Sequence, residues 1–241
     1  MAVKKSASPA AKPVKARAFQ RSPADLPPDM LDLDPLSPDA ILTGAPLQDG
    51  FLDGSAVPAD FSARKLPGLT GTSLIFQSVN FSGCELRRLH LRDVRFVQCD
   101  FSNAILRGFE ATRVEFIDCR LTGVAAVECR WQDVLIEGCE AAYSRFADAR
   151  FRACEFRSTN FAESDFRGAD FGTDHATGGH GCLFSQCSLQ RADLSHAKLY
   201  ETDLRGANLD GMIVGRDDVR GAIVNATQAM DLARLLGLVI K

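Results

Sequence analysis

Large apolar residues return every five positions along most of this chain. From Phe76 the register reads Phe76, Phe81, Leu86, Leu91, Phe96, Phe101, Leu106, Ala111, Phe116, Leu121, Ala126, Trp131, Ile136, Ala141, Phe146, Phe151, Phe156, Phe161, Phe166 and Phe171. Of these twenty positions seventeen are large and apolar and three are alanine, and eleven of the sixteen phenylalanines in the chain fall on them. Two residues ahead of each lies a second column of mostly small residues, among them Val79, Cys84, Val94, Cys99, Ala104, Ser144 and Thr159. The other three positions of each five are mostly polar, charged or glycine.

A period of five fits neither the 3.6-residue helix nor the 2-residue strand. It fits a chain that turns a corner after every five residues, so that four corners close a square coil of 20. One large and one small residue per side then face inward, and successive coils stack about 4.8 Å apart through backbone hydrogen bonds. Residues 20 apart lie above one another, which predicts a stack of Phe76, Phe96, Phe116, Ile136 and Phe156 on one side. Ala111 falls beneath Trp131, and the small-column position beside it is Phe109, so volume lost at one site is restored at the next. Local irregularity is expected between Phe109 and Tyr143.

Segments such as Ala192-Asp193-Leu194-Ser195-His196, Thr202-Asp203-Leu204-Arg205-Gly206 and Ala207-Asn208-Leu209-Asp210-Gly211 resemble the A-(D/N)-L-x-x signature of the pentapeptide-repeat family. The resemblance covers roughly residues 71–225. It implies an all-β solenoid, a right-handed quadrilateral β-helix, here of about seven coils with a short C-terminal capping helix.

The register fails after Phe171 and resumes at Phe184, a gap eight residues longer than the period. An insertion at about 174–181, rich in glycine, is expected to protrude as a loop carrying Asp174, His175 and His180. With Cys182 and Cys187 the two histidines invite a zinc reading. The spacing matches no standard site, however, and both cysteines are needed inside the coil, so no metal is assigned. All eight cysteines occupy the small inward column. That is where a buried thiol acts as a small apolar group, and they are read as reduced.

Both ends depart from the repeat. Residues 1–24 carry six basic groups and no acid, whereas residues 25–60 carry eight aspartates and no lysine or arginine. The first segment is expected to be a disordered basic tail. Residues 25–70 hold enough apolar side chains, including Leu33, Ile41 and Phe61, that they should be buried. They are expected to wrap the side bearing Val97, Ile117 and Leu135 and to plug the first coil. At the other end, Asn225 and Gln228 make a capping box ahead of a helix, with Gly237 as its stop and a short strand at Leu238-Val239-Ile240. Residues 226–241 thus read as a cap, which open solenoid ends require. They also resemble the C-terminal dimerisation module of fluoroquinolone-resistance pentapeptide proteins, which makes Met230, Ala233, Leu235, Leu236 and Leu238 candidate homodimer contacts.

No nucleophile elbow, phosphate loop or metal motif appears, so no catalytic, cofactor-binding or metal residue is assigned and no small-molecule substrate is expected. No stretch approaches the roughly 18 apolar residues of a membrane helix, and no apolar run follows the N-terminal lysines as in a secretory signal, so a cytoplasmic location is expected. Asp100, Arg120 and Glu140 should form an ion-pair ladder, beside an outward basic column of Arg87, Arg92, Arg107, Arg152, Arg157 and Arg167. The expected function is a non-enzymatic scaffold for a protein partner. An alternative implied by the resemblance is a DNA-mimicking binder of DNA gyrase or topoisomerase that protects against inhibitors. Residues 71–225 hold 22 acids and 18 lysines and arginines, a net of −4. That is far below the charge density of duplex DNA, one per 1.7 Å. A third reading is nucleic-acid binding through the basic tail.

Overall fold

A computed structural model describes residues 19–27, 32–172, 181–235 and 237–239. Its elements in chain order are β1 (Asp34–Pro35), α1 (Pro38–Thr43), β2 (Leu47–Asp53), β3 (Lys65–Leu66), β4 (Leu69–Gln77), β5 (Glu85–Arg87) and β6 (Leu89–Val97). There follow β7 (Ile105–Arg107), β8 (Glu110–Ile117), β9 (Arg130–Gln132), β10 (Leu135–Glu137), β11 (Arg150–Arg152), β12 (Glu155–Arg157), β13 (Leu183–Ser185) and α2 (Ala226–Leu235). All strand pairs are parallel, and every rung from β4 to β12 pairs residues 20 apart, as in Phe76↔Phe96 and Phe116↔Ile136. Four walls result. One carries β2, β4, β6, β8, β10, β12 and β13; the next carries bridges from Asp60↔Asn80 to Ser188↔Asn208. The third starts with β3, β5 and β7 and continues through Ala125, Arg145 and Asp165, and the fourth runs through His90, Glu110, Arg130, Arg150 and Asp170.

The corners are made by residues in the left-handed region, each two positions after a large inward residue, as at Ser78, Arg88, Asp93, Asn103 and Asp118. Such a conformation crowds any Cβ against its own backbone, and glycine therefore recurs there, as at Gly83, Gly108 and Gly138 (φ +62°, +62° and +64°). Asp or Asn at the bridge position supports the turn. The Asp100, Asn160 and Asp193 side chains each accept the N–H two residues on, at 2.8 to 3.0 Å.

The shaft is filled by the expected register in one continuous cluster. Phe76, Phe96 and Phe116 stack at 5.1 and 5.0 Å, and Phe61, Phe81 and Phe101 stack on the adjoining wall at 5.4 and 4.9 Å. Each such pair adds about 0.5–1.5 kcal/mol beyond burial. Trp131 sits above Ala111 and meets Phe109 edge-on at 5.3 Å, the expected exchange of volume. The small column does more than fill space. Its hydroxyls and thiols bond backbone carbonyls, two residues back at 2.8 Å from Thr159 to Arg157 and 3.3 Å from Cys139 to Glu137, and in the coil before at 3.0 Å from Ser164 to Ala141. Cys, Ser and Thr therefore serve alike in this column.

Several expectations need correction. Paired strands on the first wall make seven rungs, about six turns, and single bridges at Leu183↔Asp203 and Asp203↔Ile223 carry the ladder beyond β13. The irregularity expected between Phe109 and Tyr143 is a change of strand length without a shift of register. β4, β6 and β8 each run round a corner, whereas β9 to β12 break there into three-residue pieces. The solenoid begins before residue 71: Leu47 pairs with Gly71 and Leu52 with Phe76, an offset of 24, so the first coil is four residues longer than the rest. Residues 47–70 are therefore coil and do not wrap the wall. Ahead of them β1 pairs with β2, and α1 buries Ile41 over the first coil. Beyond the eight-residue gap the ladder partners are 28 apart (Glu155↔Leu183), and Cys182 N–H donates to Phe171 at 3.1 Å.

Candidate interaction surfaces

The described part of the N-terminal segment is ordered against the solenoid. Residues 21–25 lie over the corner formed by Asp93, Arg113 and Asp133, beside the wall of β6, β8, β10 and β12. Arg21, its side chain 9% exposed, donates to Glu115 Oε1 at 3.1 Å, stands 3.7 Å from Glu155 Oε2 and reaches the Asp133 carbonyl at 3.3 Å. Leu135, the rung between those two glutamates, is 5% exposed although its column faces outward. The backbone is held too: Ser22 N–H donates to Asp133 Oδ1 at 2.9 Å, Ala24 N–H to Glu115 Oε1 at 3.2 Å and Asp25 N–H to Asp93 Oδ1 at 2.9 Å. The expected disordered tail is thus wrong for residues 19–24, and residues 1–18 lie outside those described. Arg21 thus bridges the two glutamates on either side of Leu135, where residues 26–70 were expected, while Val97 and Ile117 remain half-buried.

Arginines of the wall itself orient these carboxylates. Arg95 donates to Glu115 Oε2 at 2.9 Å, Arg157 to Glu155 Oε1 at 2.7 Å, and Arg113 grips both oxygens of Asp93 at 2.6 Å. Burial is the largest influence on Glu115 and pushes it up, but Arg95, the Ala24 N–H and Arg21 outweigh it and hold the carboxyl below its ordinary value. Asp93 behaves alike, with Arg113 and the Asp25 N–H overcoming burial.

The remaining outward charges are largely paired. Arg87, Arg157 and Arg167 each bond the acid two residues back, Glu85, Glu155 and Asp165, and Arg152 bonds Asp170. The basic column is therefore interleaved with acids. Of the expected ladder, Arg120 meets Asp100 at 3.0 Å, while Glu140 accepts from Asn160 at 2.8 Å. Such exposed pairs contribute little to stability.

At the C-terminus the capping box forms: Asn225 N–H donates to Gln228 Oε1 and Gln228 N–H to Asn225 Oδ1, at 3.0 and 2.9 Å. The Gln228 amide also donates to the carbonyls of Leu204 and Ala207, at 2.7 and 2.8 Å, and so closes the last coil. Around Gly237 (φ +84°), Gly237 N–H bonds Arg234 and Leu238 N–H bonds Ala233, ending the helix. Leu232 is buried and Ala233 half-buried, while Met230, Leu235 and Leu238 are 45%, 41% and 62% exposed. Val239 is 83% exposed, and Leu238 and Val239 form no strand within the chain, contrary to expectation. Leu236, Asp174, His175 and His180 lie outside the described residues. Sequence reading missed Gln228 as the plug, although the capping box marked its position, and missed Arg21 altogether.

All eight cysteines are unbonded and buried. Burial pushes Cys84 up to about 12 and Cys187 up to about 11. Among the described residues no three or more His, Cys, Asp or Glu side chains group to hold a metal, and no helix is long and apolar enough to cross a membrane.

The family model described as "Pentapeptide repeat region" matches residues 72–146 and 109–176, and that described as "Pentapeptide repeats (8 copies)" matches residues 180–211. The chain belongs to the pentapeptide-repeat family. No curated protein matches it in sequence. Among solved structures, trypsin-treated QnrB1, a plasmid-mediated fluoroquinolone resistance protein, is 21% identical over 86% of this chain and 95% of its own, with a TM-score of 0.35. Full-length QnrB1 is 18% identical over 80% and 97%, with a TM-score of 0.30. HetL, involved in heterocyst differentiation regulation in the cyanobacterium Nostoc, is 20% identical over 75% and 90%, with a TM-score of 0.21. At these values the likenesses carry no argument about function, which rests on the surfaces of this pentapeptide-repeat chain.

Proposed function

We propose that this pentapeptide-repeat protein is a non-enzymatic scaffold that binds protein, and that its C-terminal end joins two copies. The observation that carries the reading is the exposure of four large apolar side chains at this end, Met230, Leu235, Leu238 and Val239, with Leu235 facing residues 206–211 where the ladder ends at Asn208. An open cleft of about 630 Å³ separates α2 from residues 206–211 there. Exposed large apolar side chains next to a ladder end suit an isologous contact, in which the same surface of each copy covers that of the other. Light scattering should give twice the 26.1 kDa chain mass, and Leu235→Glu with Leu238→Glu should return the single mass. A single mass for the unaltered chain at high micromolar concentration would count against the paired end.

Imitation of duplex DNA is not favoured by the outward charges, because Arg87, Arg152, Arg157 and Arg167 interleave with the acids they bond. Nucleic-acid binding through the tail is not favoured by Arg21, which is already engaged with Glu115 and Glu155.

A further inference from the structure

The carboxylates under the N-terminal arm form a row with a common design. Glu115 and Glu155 each give one oxygen to a wall arginine, Arg95 or Arg157, and turn the other toward Arg21. Asp93, clamped by Arg113, and Asp133 accept backbone N–H groups of the arm. What the row recognises is therefore general polypeptide chemistry, three backbone N–H groups, together with one guanidinium held between Glu115 and Glu155. Because the wall arginines already balance Glu115, Glu155 and Asp93, the solenoid does not need the arm for charge compensation. The contacts that hold the arm are hydrogen bonds and ion pairs to side chains of the solenoid surface, and no core side chain of the shaft depends on them.

We propose that this row is a binding groove for an extended, arginine-bearing polypeptide segment, which residues 21–25 occupy in cis and which a segment of the same chemistry from a protein partner can take over. A tethered arm competes at an effective concentration on the order of millimolar, so the groove of the unaltered chain is closed to weak ligands. The inference is independent of the C-terminal pairing above, since the two surfaces share no residue.

The test uses the full chain and a fluorescent peptide of residues 19–27 as probe. In low salt the peptide should bind the Arg21→Ala chain at least tenfold more tightly than the unaltered chain. Adding Glu115→Gln and Glu155→Gln should remove that gain, as should replacing arginine by alanine in the peptide. Moderate salt should weaken capture of the free peptide, because its guanidinium approaches the carboxylates from bulk water, where the attraction is screened. Ala24→Pro, which deletes the N–H donated to Glu115 while leaving every solenoid side chain in place, opens the groove by a second route if Arg21→Ala does not fold. Equal binding to opened and unaltered chains, binding indifferent to the glutamate substitutions, or no binding to an opened chain that keeps its β-sheet circular dichroism would each overturn the proposal.

Discussion

Phe116→Asp should abolish the cooperative unfolding transition of the solenoid and leave the chain insoluble or readily digested. Phe116 is buried at the middle of the rod, stacked 5.0 Å from Phe96 and 6.0 Å from Trp131, with Phe101 edge-on at 5.9 Å. Loss of the ring alone costs about 3–5 kcal/mol. The carboxylate that replaces it would face an apolar shaft without a partner, at several kcal/mol more. Together these approach the whole stability of an ordinary domain, about 5–15 kcal/mol. Because each coil touches only its neighbours, the damage divides the rod instead of being shared across it. Phe116→Leu should keep the fold and lower stability by about 1–3 kcal/mol, the worth of two or so ring contacts. Thermal denaturation followed by far-ultraviolet circular dichroism reads both; a soluble Phe116→Asp chain with an unaltered transition would contradict the inward stack.

Gln228→Ala should loosen the C-terminal coils while sparing the rest. The substitution removes one half of the capping box, worth about 1 kcal/mol. It also removes two amide bonds to the carbonyls of Leu204 and Ala207, each worth about 1 kcal/mol net. The summed loss of about 2–4 kcal/mol falls on the last turns, where no coil above can compensate. Hydrogen exchange should accelerate between residues 184 and 224 and stay unchanged between 76 and 171. Exchange raised evenly along the chain, or nowhere, would show that Gln228 is not the plug.

The repeat was legible because its signal is local and redundant: a wrong reading of one position is corrected by the next, five residues on. The first coil shows where that redundancy ends. Phe61 and Leu66 lie on the same register and are buried, but Gly71 interrupts it. The four extra residues between Leu52 and Phe76 then shift the phase. The register could have been followed back through Leu66 and Phe61 had that single glycine been bridged. The arm is different in kind. Arg21 meets Glu115 across 94 residues, and no spacing or composition near either residue encodes the pairing. Composition instead pointed the other way, because a run of Lys, Ala, Ser and Pro reads as disorder up to the residue where it meets the wall. At the C-terminus the capping box of Asn225 and Gln228 was readable as local chemistry, whereas the second use of the Gln228 amide depends on a coil that passes beneath it.

The central claim is that one register of side chains points into the shaft on all four walls while the rest meet solvent. The eight native thiols test it without any substitution, because they belong to the inward small column at levels from Cys84 to Cys187 and burial raises thiols such as Cys84 and Cys187 far above neutrality. Titration of the folded chain at neutral pH with a thiol-specific chromogenic disulfide should find essentially none of the eight reactive, and all eight should react at once in strong denaturant. Rapid native reaction of Cys99, Cys119 or Cys139 would place that column on the outside and contradict the fold as described.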